Sequence, residues 1–387
     1  MDGDEKIRHE AATMQFVKEK TNIPVPSVIA WGLGHENPLG LGPFIIMEYI
    51  EGEPLDTILR QGTGPEEART LRLDISDEEL EIIYRQIANI LLELSAHTFP
   101  RIDFGSGIYS RPLTLKMNEI KSHGGVSVGG VYPLQLISKR LASRHCLPLG
   151  HISKTFSSAT SYFQDVAEQD MQHLRAQPNS VDDMEDARRK YLHNKIFKAI
   201  VPHFVDSKYD HGPFRLICDD FRLGNLLVNN AQDLKIVAVL DWEWAYAAPF
   251  QMLYSSPRWL LLKKPFDWDD FINVLEEEEQ KRAEGLSMPS MATLMDESMK
   301  DGKFWFHELI YSCFESPDSR AWTAIRQLLP SIDELATVPG PEVELFLNSK
   351  MEQLNQYNVE WAAMKEEINK KEADFLALKK RVEEDAA

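Results

Sequence analysis

Apolar and polar positions divide this chain into a few long helical stretches and a set of short strands. From Asp4 to Lys20, Ile7, Ala11, Met14 and Val17 recur at spacings of three and four among charged residues, which predicts an amphipathic helix. Pro24 and Pro26 then exclude its continuation, because proline lacks the N–H that a helix needs. Two apolar runs of strand length follow, "SVIAWGL" and "PFIIMEYI", separated by the glycine-rich "GLGHENPLGLG". A second helix is predicted from Ser76 to Leu94. Ser76 and Glu79 have the spacing of a reciprocal cap, and Leu80, Ile83, Tyr84, Ile87, Ile90, Leu91 and Leu94 make a broad apolar face. Residues 99–135, rich in Gly, Pro and Ser, read as loops with short extended pieces. Helices over 157–175 and 183–200 precede three strand-like pieces, "FRLI", "LLVN" and "LKIVAVL". The last two are separated by "NAQD", a hairpin turn. After "AAPFQMLYSSPRWLLL" the pattern is helical again, and "EEEEQKR" at 276–282 reads as a solvated helix face. Residues 341–384 form a helical tail. Its near-heptad stripe, from Val343 through Leu347, Leu354, Trp361, Ile368 and Phe375 to Val382, is expected to dock on the body of the protein and fray at its Lys/Glu-rich end.

Composition narrows the class. With 43% apolar and 27% charged residues, the 387-residue chain has the balance of a soluble globular protein. A net charge of −19 opposes sequence-independent binding to a phosphate backbone and is compatible with a cationic substrate. Cys146, Cys218 and Cys313 are far apart, and no Cys/His cluster has zinc-like spacing, so neither a disulfide framework nor a structural metal is indicated. The N-terminal "MDGDEKIRHE" lacks the apolar core of a secretory signal, and no apolar run approaches the roughly 20 residues that span a bilayer. A reduced, cytoplasmic protein with no nucleic-acid and no membrane partner is the expectation.

Candidate chemistry is concentrated in "LICDDFRLGNLLV", residues 216–228. Asp220 and Asn225 stand as D-x-x-x-x-N, and Asp241 follows at the end of "LKIVAVL". Phosphoryl transfer needs a carboxylate that orients the attacking hydroxyl and oxygen ligands that hold Mg²⁺ against nucleotide phosphates. A base, an amide ligand, a hairpin and a carboxylate ligand, in that order, supply those groups. Singly, Asp220 also fits a turn acid, Asn225 a loop residue beside Gly224, and Asp241 a strand-end acid. Asp219 competes with Asp220, but only Asp220 has the five-residue offset to Asn225.

Taken with "EKIRHEAATMQFVKEKTNIPVPSVIAWG", "PFIIMEYIEGEPL" and "VLDWEWAYAAPFQ", the loop "DDFRLGNLLV" makes the chain resemble the kinase-like aminoglycoside phosphotransferase family, in its broad fungal branch. The resemblance implies an α+β, protein-kinase-like fold with a truncated N-terminal lobe and a large, mostly helical C-terminal lobe. Residues 1–52 would be the remnant of the first lobe, 53–340 the second lobe with the catalytic loop, and 341–387 a helical tail. It implies ATP (or GTP) and Mg²⁺ as cofactors and a small hydroxylated molecule as substrate. Asp220 would face the substrate hydroxyl, and Asn225 and Asp241 would hold Mg²⁺. Glu48, Tyr49 and Ile50 would be the hinge whose backbone meets the nucleotide base, and Glu10 the helix acid that pairs with a phosphate-binding lysine.

The chain departs from the family pattern in two places. Cys218 stands where many members have His, two positions before the catalytic acid, and reads as a small buried filler. The family's Gly-rich hairpin and lysine-bearing strand would precede Glu10, yet nine residues stand before it here, and each strand needs about five or six plus turns. "GLGHENPLGLG" follows the helix, and "GGVSVGG" has no lysine at Walker spacing. Expected activity is therefore an impaired ATP- and Mg²⁺-dependent transfer to a small molecule, the alternative being a non-catalytic, pseudokinase-like binding or scaffold protein.

Overall fold

Helix α1 (Gly3–Lys20) is buried on two sides. Ala11, Met14 and Val17 are buried as their spacing predicts, but Ile7 is only half-buried, and His9, Thr13 and Phe16 are buried as well. The second side meets a distant part of the chain. The Phe16 ring packs edge-on to His97 at 5.3 Å and against Phe99 at 5.9 Å, and His9 reaches Ala245. The computed structural model that shows this describes residues 3–62, 71–99, 156–255, 257, 266–282, 290–312, 314, 317–335 and 339–385. The loops expected over 99–135 fall outside these residues apart from Phe99, as do Cys146 and Cys313.

The two runs after α1 form an antiparallel ribbon of β1 (Val28–Gly32) and β2 (Phe44–Met47), with Trp31 opposite Ile45 and Gly32 opposite Phe44. The chain then enters two three-stranded antiparallel sheets. One has the order β3 (Glu53–Pro54), β6 (Leu226–Val228), β7 (Ile236–Val239). The other has the order β4 (Thr98–Phe99), β5 (Phe214–Cys218), β8 (Ala245–Ala248). Strand β8, "AYAA", escapes the hydrophobic pattern because alanine is a weak strand former; all four of its residues are buried.

Nine further helices are seen among the described residues. They are α2 (Leu55–Ile58), α3 (Asp77–Ala96), α4 (Ala159–Ala176), α5 (Met184–Phe204) and α6 (Trp268–Arg282), then α7 (Met291–Asp301), α8 (Lys303–Ser312), α9 (Arg320–Leu328) and α10 (Gly340–Asp385). The α3 cap forms as its sequence predicts: Ser76 Oγ accepts from Glu79 N at 3.3 Å, and Glu79 Oε2 accepts from Ser76 N at 2.8 Å. The core is rich in aromatic residues, with Phe163, Phe197, Trp242, Tyr246, Phe306 and Trp322 all fully buried.

The acid run at 276–282 is not merely a solvated face. Successive residues point about 100° apart around a helix, so four glutamates cannot share one side. Glu278 turns inward and accepts from Arg85 at 2.8 Å, Asn89 at 2.8 Å and Lys281 at 2.6 Å. Burial raises its pKa, but these hydrogen bonds outweigh it and hold the carboxyl at about 2. Glu279 caps α7, accepting from Ser290 Oγ at 2.7 Å and Met291 N at 2.5 Å. The expected docking of the tail also holds for only its first half. Val343, Leu347 and Leu354 are buried, Phe346 stacks on Tyr191 of α5 at 4.4 Å, and Tyr357 OH accepts from Asn179 at 3.1 Å. Beyond this, Ile368 and Phe375 stay exposed. A 46-residue helix is about 69 Å long at 1.5 Å per residue and outruns the 21-residue α5 that it packs on.

Gly52, just before β3, sets how close the first 50 residues lie to the β6–β7 hairpin. A Cβ there would stand 2.9 Å from Val228 O and 3.1 Å from Val237 Cγ2, and the backbone oxygen cannot turn aside. Gly52→Ala is therefore expected to destabilise the protein by about 1–3 kcal/mol, the usual cost of overpacking, as read by urea unfolding. An unchanged unfolding midpoint would mean that this approach is looser than the structure has it.

Candidate active site

The site grows from the ends of the two sheets. Strand β5 runs out at Cys218, opposite Ala245 of β8, and Asp219 N donates to Trp244 O at 3.1 Å. In the other sheet Leu226 lies opposite Val239, and the ladder continues one step further, with Leu240 N donating to Asn225 O at 2.8 Å. That register sets Leu240 opposite Asn225 and Asp241 one residue beyond it. The Asn225 side chain, 7% exposed, turns the other way and donates through Nδ2 to Asp220 O at 2.9 Å and Asp220 Oδ2 at 3.2 Å. Arg222 Nε also donates to Asp220 Oδ2, at 3.2 Å. Asp220, Asn225 and Asp241 thus share one end of the β6–β7 hairpin.

The neighbouring acids have different partners. Asp219 Oδ1 accepts from Tyr311 OH of α8 at 2.7 Å, so Asp219 faces the helical side while Asn225 takes Asp220. Glu243 is half-buried in the turn after Asp241. Asp56 of α2 brings its carboxylate to 3.4 Å from where a Cβ on Gly224 would lie, a second negative charge at the loop that the sequence did not mark. Cys218 is buried, as a filler would be.

The other residues expected at the site lie apart from this cluster. Glu48, Tyr49 and Ile50 follow β2 and lead to β3, which pairs with β6 at Val228, about 10 Å along the strand from Asn225. Glu48 N donates to Ser27 O at 2.9 Å, and Glu48 Oε2 accepts from Ser27 N and Oγ at 3.1 and 2.9 Å. These two bonds from Ser27 lower the Glu48 pKa. Tyr49 is 89% exposed and Ile50 half-buried. Glu10 is half-buried on α1, and that helix packs on the Trp242–Trp244 turn just after Asp241.

His9 is the residue the sequence reading missed. Its Nε2 lies 2.5 Å from Ala245 O; a carbonyl can only accept, so the imidazole donates there. The apolar stripe through Ile7 and Ala11 places His9 outside the expected buried face, so periodicity gave no signal for it. Burial pushes its pKa down from 6.5 to about 4, against a smaller upward effect of the Ala245 bond.

Among the described residues no group of three or more His, Cys, Asp or Glu side chains could hold a metal ion. A smaller oxygen donor set is present. With Nδ2 of Asn225 committed to Asp220, the atom that Asn225 would turn to a cation is Oδ1, and the acid nearest to it along the facing strand is Asp241, one residue past Leu240. Two hard oxygen ligands, with the rest of the shell completed by phosphate oxygens and water, suit Mg²⁺.

A family model described as "Phosphotransferase enzyme family" matches residues 2–252. The chain belongs to this family. Its curated relatives include the yeast protein "Altered inheritance of mitochondria protein 9, mitochondrial". The Clavispora lusitaniae protein of that description is 28% identical over 219 residues, covering 51% of this chain and 33% of its own. The one from Lodderomyces elongisporus is 32% identical over 114 residues, covering 30% and 16%. A subtelomeric hrmA-associated cluster protein of Aspergillus fumigatus is 31% identical over 107 residues, covering 28% and 18%. The matches span a third or less of the length of each of these relatives. Among solved structures, the chain is similar to a GDP complex of an aminoglycoside 2'-phosphotransferase, with a TM-score of 0.38, 15% identity and coverage of 86% and 82%. It is also similar to an aminoglycoside phosphotransferase with ADP and hygromycin B, with a TM-score of 0.37, 12% identity and coverage of 86% and 84%. The expected cytoplasmic location is overturned, since the yeast relatives are described as mitochondrial. The polar stretch from Met1 to Glu10 bears on a secretory signal and not on entry into an organelle. Among the described residues no helix is long and apolar enough to cross a membrane.

His9 makes stability depend on pH with a definite sign. Its folded pKa of about 4 lies below the ordinary 6.5, so in that interval the unfolded chain binds the proton first. The stability is whole above pH 6.5 and is lost as pH falls toward 4, by up to roughly 3 kcal/mol. His9→Leu is expected to remove about one proton from the slope of urea-unfolding stability between pH 6.5 and 4.5. An unchanged slope would show that His9 titrates normally in the fold.

Proposed function

We propose that the protein transfers a phosphoryl group from a nucleoside triphosphate, ATP or GTP, to a hydroxyl of a small molecule, with Mg²⁺ held by Asn225 and Asp241. The observation that carries this reading is the double engagement of Asn225. Its side chain holds Asp220 at 2.9 and 3.2 Å while its carbonyl holds Leu240 at 2.8 Å, beside Asp241. One residue thereby ties a base to a ligand pair. Asp220 orients the substrate hydroxyl and takes its proton as the new O–P bond forms and the bond from the γ-phosphorus to the β–γ bridging oxygen breaks, releasing the nucleoside diphosphate. Mg²⁺, when bound, supplies charge neutralisation at the phosphate oxygens.

The peptide groups of Tyr49 and Ile50 are proposed to pair with the base, since the N–H of Glu48 is already taken by Ser27. Glu10 would meet a phosphate-binding lysine. The three-part division at residues 52 and 340 is proposed with it. The substrate is a small hydroxylated molecule, and the acidic surface favours a cationic one.

Thermal unfolding with Mg·ATP and Mg·GTP tests the proposal. Saturable stabilisation is expected, near 2.7 kcal/mol at a hundredfold excess over Kd, and Asp241→Ala should abolish its Mg²⁺-dependent part. Asp220→Asn should keep the stabilisation and cut phosphorylation of an accepted substrate by about 10²–10⁴-fold. If the unsubstituted chain is not stabilised, the scaffold alternative takes the place of the transferase.

A further inference from the structure

Asp241 is one of two non-glycine residues with positive φ among the described residues, at φ 62° and ψ 67°. For an L-residue that conformation costs roughly 1–2 kcal/mol and persists only where the surroundings over-determine it. Several bonds do so. Before Asp241, Val239 N donates to Pro24 O at 2.8 Å and Leu240 N to Asn225 O at 2.8 Å. After it, Trp242 Nε1 donates back to Val239 O at 2.9 Å, and Trp244 O accepts from Asp219 N at 3.1 Å. The turn closes where His9 Nε2, from a helix 236 positions earlier in the chain, meets Ala245 O at 2.5 Å. Thr13, one turn further along the same buried side of α1, makes no hydrogen bond through Oγ1, whereas His9 supplies a polar tie there.

We infer that His9 is a positioning residue: its N–H pins the end of the turn that keeps Asp241 left-handed beside Asn225, and so couples helix α1 to the metal-binding pair. The inference rests on the proposed role of Asp241. Without the tie, the turn relaxes into an ordinary φ and the Asp241 carboxylate loses the direction that the left-handed backbone gives it. A histidine that only filled the core would contribute stability and leave metal binding alone.

The test measures ATP affinity of the full chain by titration calorimetry with and without Mg²⁺. His9→Leu fills the site without a donor, His9→Met is a second donor-less variant, His9→Gln restores an N–H at similar reach, and Asp241→Ala is the control. In His9→Leu and His9→Met the Mg²⁺-dependent gain in affinity is expected to fall about tenfold with metal-independent binding unchanged, and His9→Gln to recover it. A gain preserved in either donor-less variant that folds, or lost equally in His9→Gln, overturns the inference while the reading of Asp241 stands. A gain that is absent from the unsubstituted chain or survives Asp241→Ala overturns that reading, and the inference with it.

Discussion

The arrangement depends on one asparagine bonded in two directions. Asn225 is nearly buried, so each of its polar groups needs a partner, and the fold provides them on opposite sides. Its amide holds the Asp220 backbone and carboxylate, and its carbonyl extends the hairpin ladder to Leu240. Because a hairpin register cannot slip by one residue without reversing every side chain, this bond also determines which residue stands opposite Asn225, namely Leu240, and so places Asp241 one residue further along the strand. The 219–225 loop and the strand that ends before Asp241 are thereby held together by backbone geometry as well as by side chains.

Around this centre the protein joins elements that have no local reason to meet. Helix α1 is wedged between the β1–β2 ribbon and the turn after Asp241, which requires a second buried side and the burial of an imidazole. On the far side of the molecule, Glu278 and Glu279 fasten α6 to α3 and to the N-terminus of α7. Asp219 ties the catalytic loop to α8 through Tyr311. The loop is thus held by helices on one side and sheet ends on the other, which suits chemistry that depends on positioning. Ile368 and Phe375, in the second half of α10, stay exposed outside this frame.

Family membership is firmer than anything the comparisons say of the protein's setting. The matched region, residues 2–252, contains the whole cluster of Asp220, Asn225 and Asp241. The relatives named above are considerably longer than the segments they share with this chain, and their mitochondrial descriptions correct an inference drawn from composition. Net charge bears on solubility and non-specific association; it carries no address.

Much of the framework was legible in the sequence because it rests on local physics. The α3 cap, the proline stop after α1, the β1–β2 ribbon and the β6–β7 hairpin each follow from residues close together in the chain. The offset between Asp220 and Asn225 marked the loop before any coordinates did. Other features were decided only by tertiary contact. Strand β8 carries no β-forming signal and exists because β5 pairs with it. His9 sits off the expected stripe and is buried only because a turn 236 residues away packs on it. Glu278 reads as solvated until Arg85 and Asn89 arrive from another helix, and the stripe of α10 reads as docked until its partner helix ends. Periodicity reports which face of an element is apolar; what that face meets, and which polar group must then find a partner, is settled by the rest of the fold.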